Sequence, residues 1–227
     1  MKFNKKKSNI FYMAILYHYV HCPYCIRVRM ALGHLEVDYQ SVVVPYHDED
    51  LPNKLCGKKM LPIFEFPGGG HSNESLLIIE RMDEKDRLNC DLLESHKSSL
   101  DHLTDRLGAQ IHSLCMPYWA YTPEFNPQSR HYFQQKKEVK RGPFNKLIQN
   151  KQQYLDALAP LLEETEKLLT PYYAGESLSI LDIMLASHLW GLYIFPEFQF
   201  SDKLHSYLQP VKKNVTLNTT RISGARA

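Results

Sequence analysis

Apolar and polar positions alternate in two different ways along this chain, and the change falls near Arg87. Before it, short apolar runs of strand length are separated by turn residues. Ala14 to Val20, Asp38 to Val44 (rich in Val and Tyr), Leu61 to Phe66 and a short segment from His71 to Asn73 read as strands. Between them, Ile26, Met30 and Leu35 recur at helical spacing. A short helix is expected around Leu51 to Cys56, and another from Ser75 to about Lys85. Pro67-Gly68-Gly69-Gly70 marks a turn before the fourth strand. The order strand, helix, strand, helix, strand, strand, helix predicts a compact α/β unit of parallel strands with a crossover helix, followed by a hairpin.

After Arg87 strand alternation ceases. Leu155, Leu158, Leu161, Leu162, Leu168 and Leu169 follow helical periodicity, with expected breaks at Pro117, Pro123, Pro127, Pro143 and Pro171. An all-helical second domain follows from that pattern. Its best-marked helix begins at Ser179-Ile180-Leu181-Asp182, a capping box in which each side chain satisfies an end N–H of the other, with Leu178 and Ile183 placed as a hydrophobic staple. The apolar stretch Ile180 to Phe195 contains Asp182 and His188 and is shorter than the roughly 20 residues needed to span a bilayer, so it reads as a buried core helix. The boundaries expected are a disordered extension over 1–12, an α/β domain over 13–86, a linker over 87–96, a helical domain over 97–213 and a polar tail over 214–227.

Composition narrows the function classes. The 227 residues are 44% hydrophobic and 23% charged, ordinary for a soluble globular protein, and a net charge of +2 gives no reason to invoke nucleic acid. Five cysteines in so long a chain are not a disulfide scaffold, and the odd count leaves a free thiol, which suits a reducing cytoplasm. Lys5-Lys6-Lys7 mimics the start of a signal peptide, but the segment after it is broken by Tyr and His, and Met13 is an alternative start. The sequons at Asn214 and Asn218 carry no meaning in a cytoplasmic protein.

The chemistry concentrates in Cys22-Pro23-Tyr24-Cys25, where the first strand hands over to a helix. If Cys22 caps that helix, Pro23 occupies its first turn, where a missing N–H costs nothing. The Cys22 thiol then meets unpaired N–H groups and the positive end of the helix dipole. Such placement lowers a thiol pKa from about 8.5 to roughly 3.5–7.5. Cys22 is therefore the expected nucleophile, and Cys25, one turn on, its resolving partner. Arg27 is either a further source of positive charge or a solvated cation. A zinc site lacks its second ligand pair, since Cys56, Cys90 and Cys115 are isolated and His18 and His21 make only a cramped local set. A static disulfide would need an oxidising compartment. Redox function is the reading that remains.

The ordered set CPYC, Met60-Leu61-Pro62-Ile63, Glu74-Ser75 opening a helix and a Ser-x-x-Asp box in a helical domain resembles the glutathione transferase architecture. Within it the chain resembles the two-domain bacterial glutaredoxins, most clearly through HCPYC, Gly57-Lys58-Lys59-Met60-Leu61-Pro62 and Glu74-Ser75. The resemblance implies a thioredoxin-like domain with a mixed sheet, a cis bond before Pro62, and glutathione as substrate and reductant with no metal. It assigns the glutathione cysteinyl backbone to Leu61 and the γ-glutamyl end to Ser75, with Glu74 as an acceptor for the ammonium. Lys58 would pair with the glycyl carboxylate, and Tyr24 would cover the bound peptide. Tyr118, Trp119 and Tyr121 fall where this architecture places a helical wall, as a substrate pocket or as core. The implied partners are glutathionylated or disulfide-bonded proteins, without membrane, acting on a cytoplasmic monomer. Two rivals share the fold: a glutathione transferase or dehydroascorbate reductase, against which the second cysteine counts, and a non-enzymatic binding module.

Overall fold

The computed structural model describes residues 13–212 and Val215. The expectations for the extension, the sequons and nearly all of the tail lie outside these residues. A four-stranded sheet in the order β2-β1-β3-β4 forms the first layer. β1 (Ala14–His18) pairs parallel with β2 (Tyr39–Val43) and antiparallel with β3 (Ile63–Glu65), which pairs antiparallel with β4 (His71–Ser72). Alternation along β1 explains its place: Ala14, Leu16 and His18 are buried and Ile15 and Tyr17 only partly so, as expected for a strand packed on one face.

Helices α1 (Pro23–Leu35), α2 (Asp50–Cys56) and α3 (Ser75–Met82) complete this unit. α3 stops three residues short of the expected Lys85 because Asp83 turns its carboxylate to the next segment, accepting from Arg87 N at 2.8 Å and Leu88 N at 2.7 Å. Arg87 in turn donates to the carbonyls of His34 and Leu35 at the end of α1. Residues 83–88 are thereby tied to the first unit, while the Leu88 carbonyl accepts from Ile180 N at 2.7 Å in the helical part.

The rest is helical: α4 (Leu92–Trp119), α5 (Pro127–Arg141), α6 (Phe144–Gln149), α7 (Lys151–Leu168), α8 (Ile180–Leu189) and α9 (Asp202–Val211), with a 3₁₀ segment over Trp190–Ile194. Pro117 does not break α4 but lies near its end, inside a buried stretch. Pro127 opens α5, where the Asn126 side chain accepts from Ser129 N. The capping box forms with both bonds, and α8 is buried over its whole length. The apolar run from Ile180 is not one helix to Phe195 but α8 followed by the tighter 3₁₀ turn. α8 packs between α4 and α1, so one continuous core runs from Leu16 and Phe64 to Leu185 and Leu208. Among the described residues no helix is long and apolar enough to cross a membrane.

Candidate functional site

Cys22 is the N-cap of α1, in extended conformation, and Pro23 is the first helical residue. Its thiol makes no cap hydrogen bond, and its ionisation is set by the groups around it. A hydrogen bond from the Cys25 thiol favours the Cys22 thiolate most. Burial opposes ionisation, while the N–H groups of Cys25 and Tyr24 and the ammonium of Lys137 add to the first effect, bringing the thiol down to about 7. The Cys25 thiol is pushed well up, by burial first and then by its bond to Cys22. It is fully buried and accepts from Tyr19 N at 3.4 Å. Both thiols are free. The helix start thus holds one reactive sulfur and one proton-bearing sulfur, an asymmetry suited to attack by Cys22 and later resolution by Cys25.

Two cavities flank this pair. The larger, about 610 Å³, is lined on the α/β side by Tyr24, Arg27, Leu61, Pro62, Glu74 and Ser75. From the helical side α4 contributes Lys97, Asp101, Thr104 and Asp105, and α8 contributes Met184 and His188. The Leu61–Pro62 bond is cis. Ser75 is the first helical residue of α3, and Glu74, not Ser75, takes the N-cap position. Ser75 is buried, and its Oγ accepts from Arg27 Nη1 at 3.3 Å. Arg27 is thus neither solvated nor aimed chiefly at Cys22. It is buried with its guanidinium 5.0 Å from the Tyr24 ring centroid. Lys58 lies outside the lining, exposed, with its ammonium 3.6 Å from Glu74 Oε1.

The smaller cavity, about 260 Å³, holds Cys22 itself, together with Tyr19, Tyr46, Lys59, Trp119, Phe133 and Lys137. Met60 and Leu61 line both cavities. Of the three aromatics after α4's proline, Trp119 lines this cavity, Tyr118 packs against Phe195 at 5.3 Å, and Tyr121 is exposed under Arg130. Next to Cys22, His21 stacks on Trp119 and lies 2.7 Å from Glu124 Oε1 and 3.1 Å from Thr122 Oγ1. His18 turns away: its Nε2 bonds Ser41 Oγ at 2.8 Å, and burial, then Arg29, lower its pKa to about 4. Among the described residues no group of three or more His, Cys, Asp or Glu is placed to hold a metal ion.

Sequence reasoning missed Tyr19, Tyr46, Lys137, His188 and the α4 acids. Most of these arrive from the helical domain, and no local motif marks them.

The chain matches known proteins along most of its length. Residues 99–220 match the family described as glutaredoxin 2, C terminal domain, and residues 16–89 match the glutathione S-transferase N-terminal domain. Glutaredoxin 2 of Escherichia coli K12 is 26% identical over 208 residues, covering 89% of this chain and 96% of that protein. In fold, the chain is similar to glutaredoxin 2 of Salmonella typhimurium, solved in complex with glutathione, with a TM-score of 0.79 and 24% identity over 91% of this chain and 96% of that one. A glutathione transferase from Phanerochaete chrysosporium gives 0.78 at 15% identity, covering 92% and 99%. A helical domain matched over more than half the chain, joined to a transferase-type α/β domain that carries the dithiol, means that this chain belongs to the glutaredoxin 2 family.

Proposed function

We propose that this protein reduces glutathione mixed disulfides and protein disulfides at Cys22, with glutathione as reductant, and works as a monomer in the cytoplasm. The observation that carries this reading is the asymmetry of the two thiols at the start of α1: Cys22 brought down to about 7, Cys25 pushed well above its ordinary range. The Cys22 thiolate attacks the glutathione sulfur of a mixed disulfide. The new bond joins Cys22 to glutathione, the old sulfur–sulfur bond breaks, and the partner leaves as a thiolate that takes up a proton. A second glutathione thiolate then attacks the glutathione sulfur held on Cys22, yielding oxidised glutathione and free Cys22. For a protein disulfide, Cys25 loses its proton and displaces the substrate from Cys22, closing a Cys22–Cys25 disulfide that glutathione reduces.

The larger cavity is the seat of glutathione in this reading. Leu61 and the cis Pro62 hold its cysteinyl backbone, Ser75 at the start of α3 receives the γ-glutamyl carboxylate, and Glu74 the ammonium. Tyr24 covers the bound peptide, and Lys58 meets the glycyl carboxylate once it exchanges Glu74 for the ligand.

The test is a glutathione-coupled assay with purified variants. Cys22→Ser is expected to abolish both routes. Cys25→Ser is expected to abolish reduction of protein disulfides and largely spare deglutathionylation. Full activity in Cys22→Ser would overturn the assignment, and rapid conjugation of an aromatic halide would favour a transferase instead.

A further inference from the structure

We propose that the smaller cavity receives the half of the mixed disulfide that is not glutathione, and that it is shaped for a small aromatic thiol bearing a negative charge. The inference rests on the function proposed above and names the substrate class of that site. Its first support is position. Cys22 lines the smaller cavity and not the larger, and Met60 and Leu61 form the wall common to both. A disulfide whose glutathione half fills the larger cavity crosses that wall at its sulfur–sulfur bond.

Size and lining set the class. At about 260 Å³ the space falls just below the roughly 300–1,000 Å³ of drug-sized sites, room for one ring with a short substituent. Its walls are rings in mutual contact: Tyr46 lies 4.6 Å from Tyr19, 4.7 Å from Phe133 and 5.8 Å from Phe125, centroid to centroid. Such surfaces favour another ring, stacked or edge-on.

Charge supplies the remainder. Two ammonium groups, Lys59 and Lys137, and no carboxylate line this cavity, whereas Glu74, Asp101 and Asp105 line the larger one. An anionic substituent therefore meets only cations in the smaller space, whereas in the larger one Arg27 and Lys97 stand beside those three carboxylates and the charges are mixed. Lys59 already has partners: it donates to the Tyr46 carbonyl at 2.7 Å and lies 3.7 Å from Glu49. Lys137 rests 5.8 Å from the Tyr46 centroid and 5.7 Å from that of Phe133, and the negative group acting on it is Cys22. Once Cys22 enters a disulfide its charge is gone, and a half-buried ammonium is left without a counter-ion, a costly state unless another anion replaces it. A carboxylate on the aromatic thiol does so, and the departing thiolate leaves beside the same cation.

The experiment compares the glutathione mixed disulfides of 4-mercaptobenzoate and 4-methylbenzenethiol, with that of 2-mercaptoethanol as a neutral reference, on wild type, Lys137→Met and Lys137→Arg. The quantity read is the ratio of kcat/KM for the carboxylate substrate to that for the methyl substrate within each protein. Differences in leaving-group acidity and in Cys22 reactivity cancel when these ratios are compared between proteins. The ratio is expected to fall about tenfold in Lys137→Met and to recover in Lys137→Arg. An equal loss on both substrates would reduce Lys137 to a counter-ion of Cys22 and overturn the proposal. Failure of the wild type to turn over any of the three would instead sink the oxidoreductase reading.

Discussion

His21 Nε2 lies 2.7 Å from Glu124 Oε1, tying the residue before the nucleophile to the loop between α4 and α5. Burial alone would raise the Glu124 pKa, but His21, the backbone N–H of Glu124 and the Thr122 hydroxyl together outweigh it and hold the carboxyl below its ordinary 4.5. A carboxyl whose pKa is lower folded than unfolded stabilises fully above the unfolded value and loses that contribution as pH falls through the folded one. Glu124→Gln should therefore cost about 1–3 kcal/mol at pH 7. Thermal melts should show the gap to wild type shrinking as pH falls below about 4.5; a gap that stays the same from pH 7 to the acid end of the titration would refute the pairing.

The Cys25 thiol is the main hydrogen-bond donor to Cys22. Alkylation of Cys22 by iodoacetamide should follow a titration centred at about 7. Cys25→Ala removes the donor and should move that midpoint upward; Cys25→Ser, whose hydroxyl still donates, should move it less. An unchanged midpoint in Cys25→Ala would show that the helix start and Lys137 suffice.

Lys58 and Glu74 are both exposed, at 54% and 64% of their side-chain surface, so their 3.6 Å contact adds at most a few tenths to about 1 kcal/mol. Lys58→Ala should leave the melting temperature almost unmoved. Its KM for glutathione is expected to rise severalfold, and with stability unaffected that rise would report ligand contact alone. No change in KM would remove Lys58 from the glutathione site.

Asp182 is buried and accepts from Ser179 N at 2.9 Å, Tyr173 N at 2.8 Å and Tyr207 Oη at 3.0 Å. Asp182→Ala leaves all three donors without that acceptor, and a loss of roughly 2–4 kcal/mol is expected in denaturant unfolding. Ser179→Ala removes only one side of the box and should cost about 1 kcal/mol.

What the sequence disclosed and what it withheld divide on a physical line. Cys22 at the helix start, Ser75 opening α3 and the Ser179 box are local: each is set by a few consecutive residues, and each was legible, whereas the cis bond before Pro62 came only with the family resemblance. Lys137 reaches Cys22 from a helix more than a hundred residues away, and its periodicity marks only which face of α5 is apolar. Arg27 was ambiguous for a similar reason. Its neighbours in sequence could not say that α3 would bring Ser75 within 3.3 Å of it. Pro117 reads as a break in sequence, yet it sits in the last turn of α4, where any kink it makes has little helix left to redirect.

The length of α4 has a consequence for how this site can vary. The helix runs for 28 residues, about 42 Å, and supplies Asp101, Thr104 and Asp105 to one cavity and Met116 and Trp119 to the other. The two walls are marks on one ruler. A single residue inserted between Asp105 and Met116 would advance one set by 1.5 Å and swing it about 100° against the other. Change by substitution is open to either cavity separately, whereas change by insertion must re-register both at once.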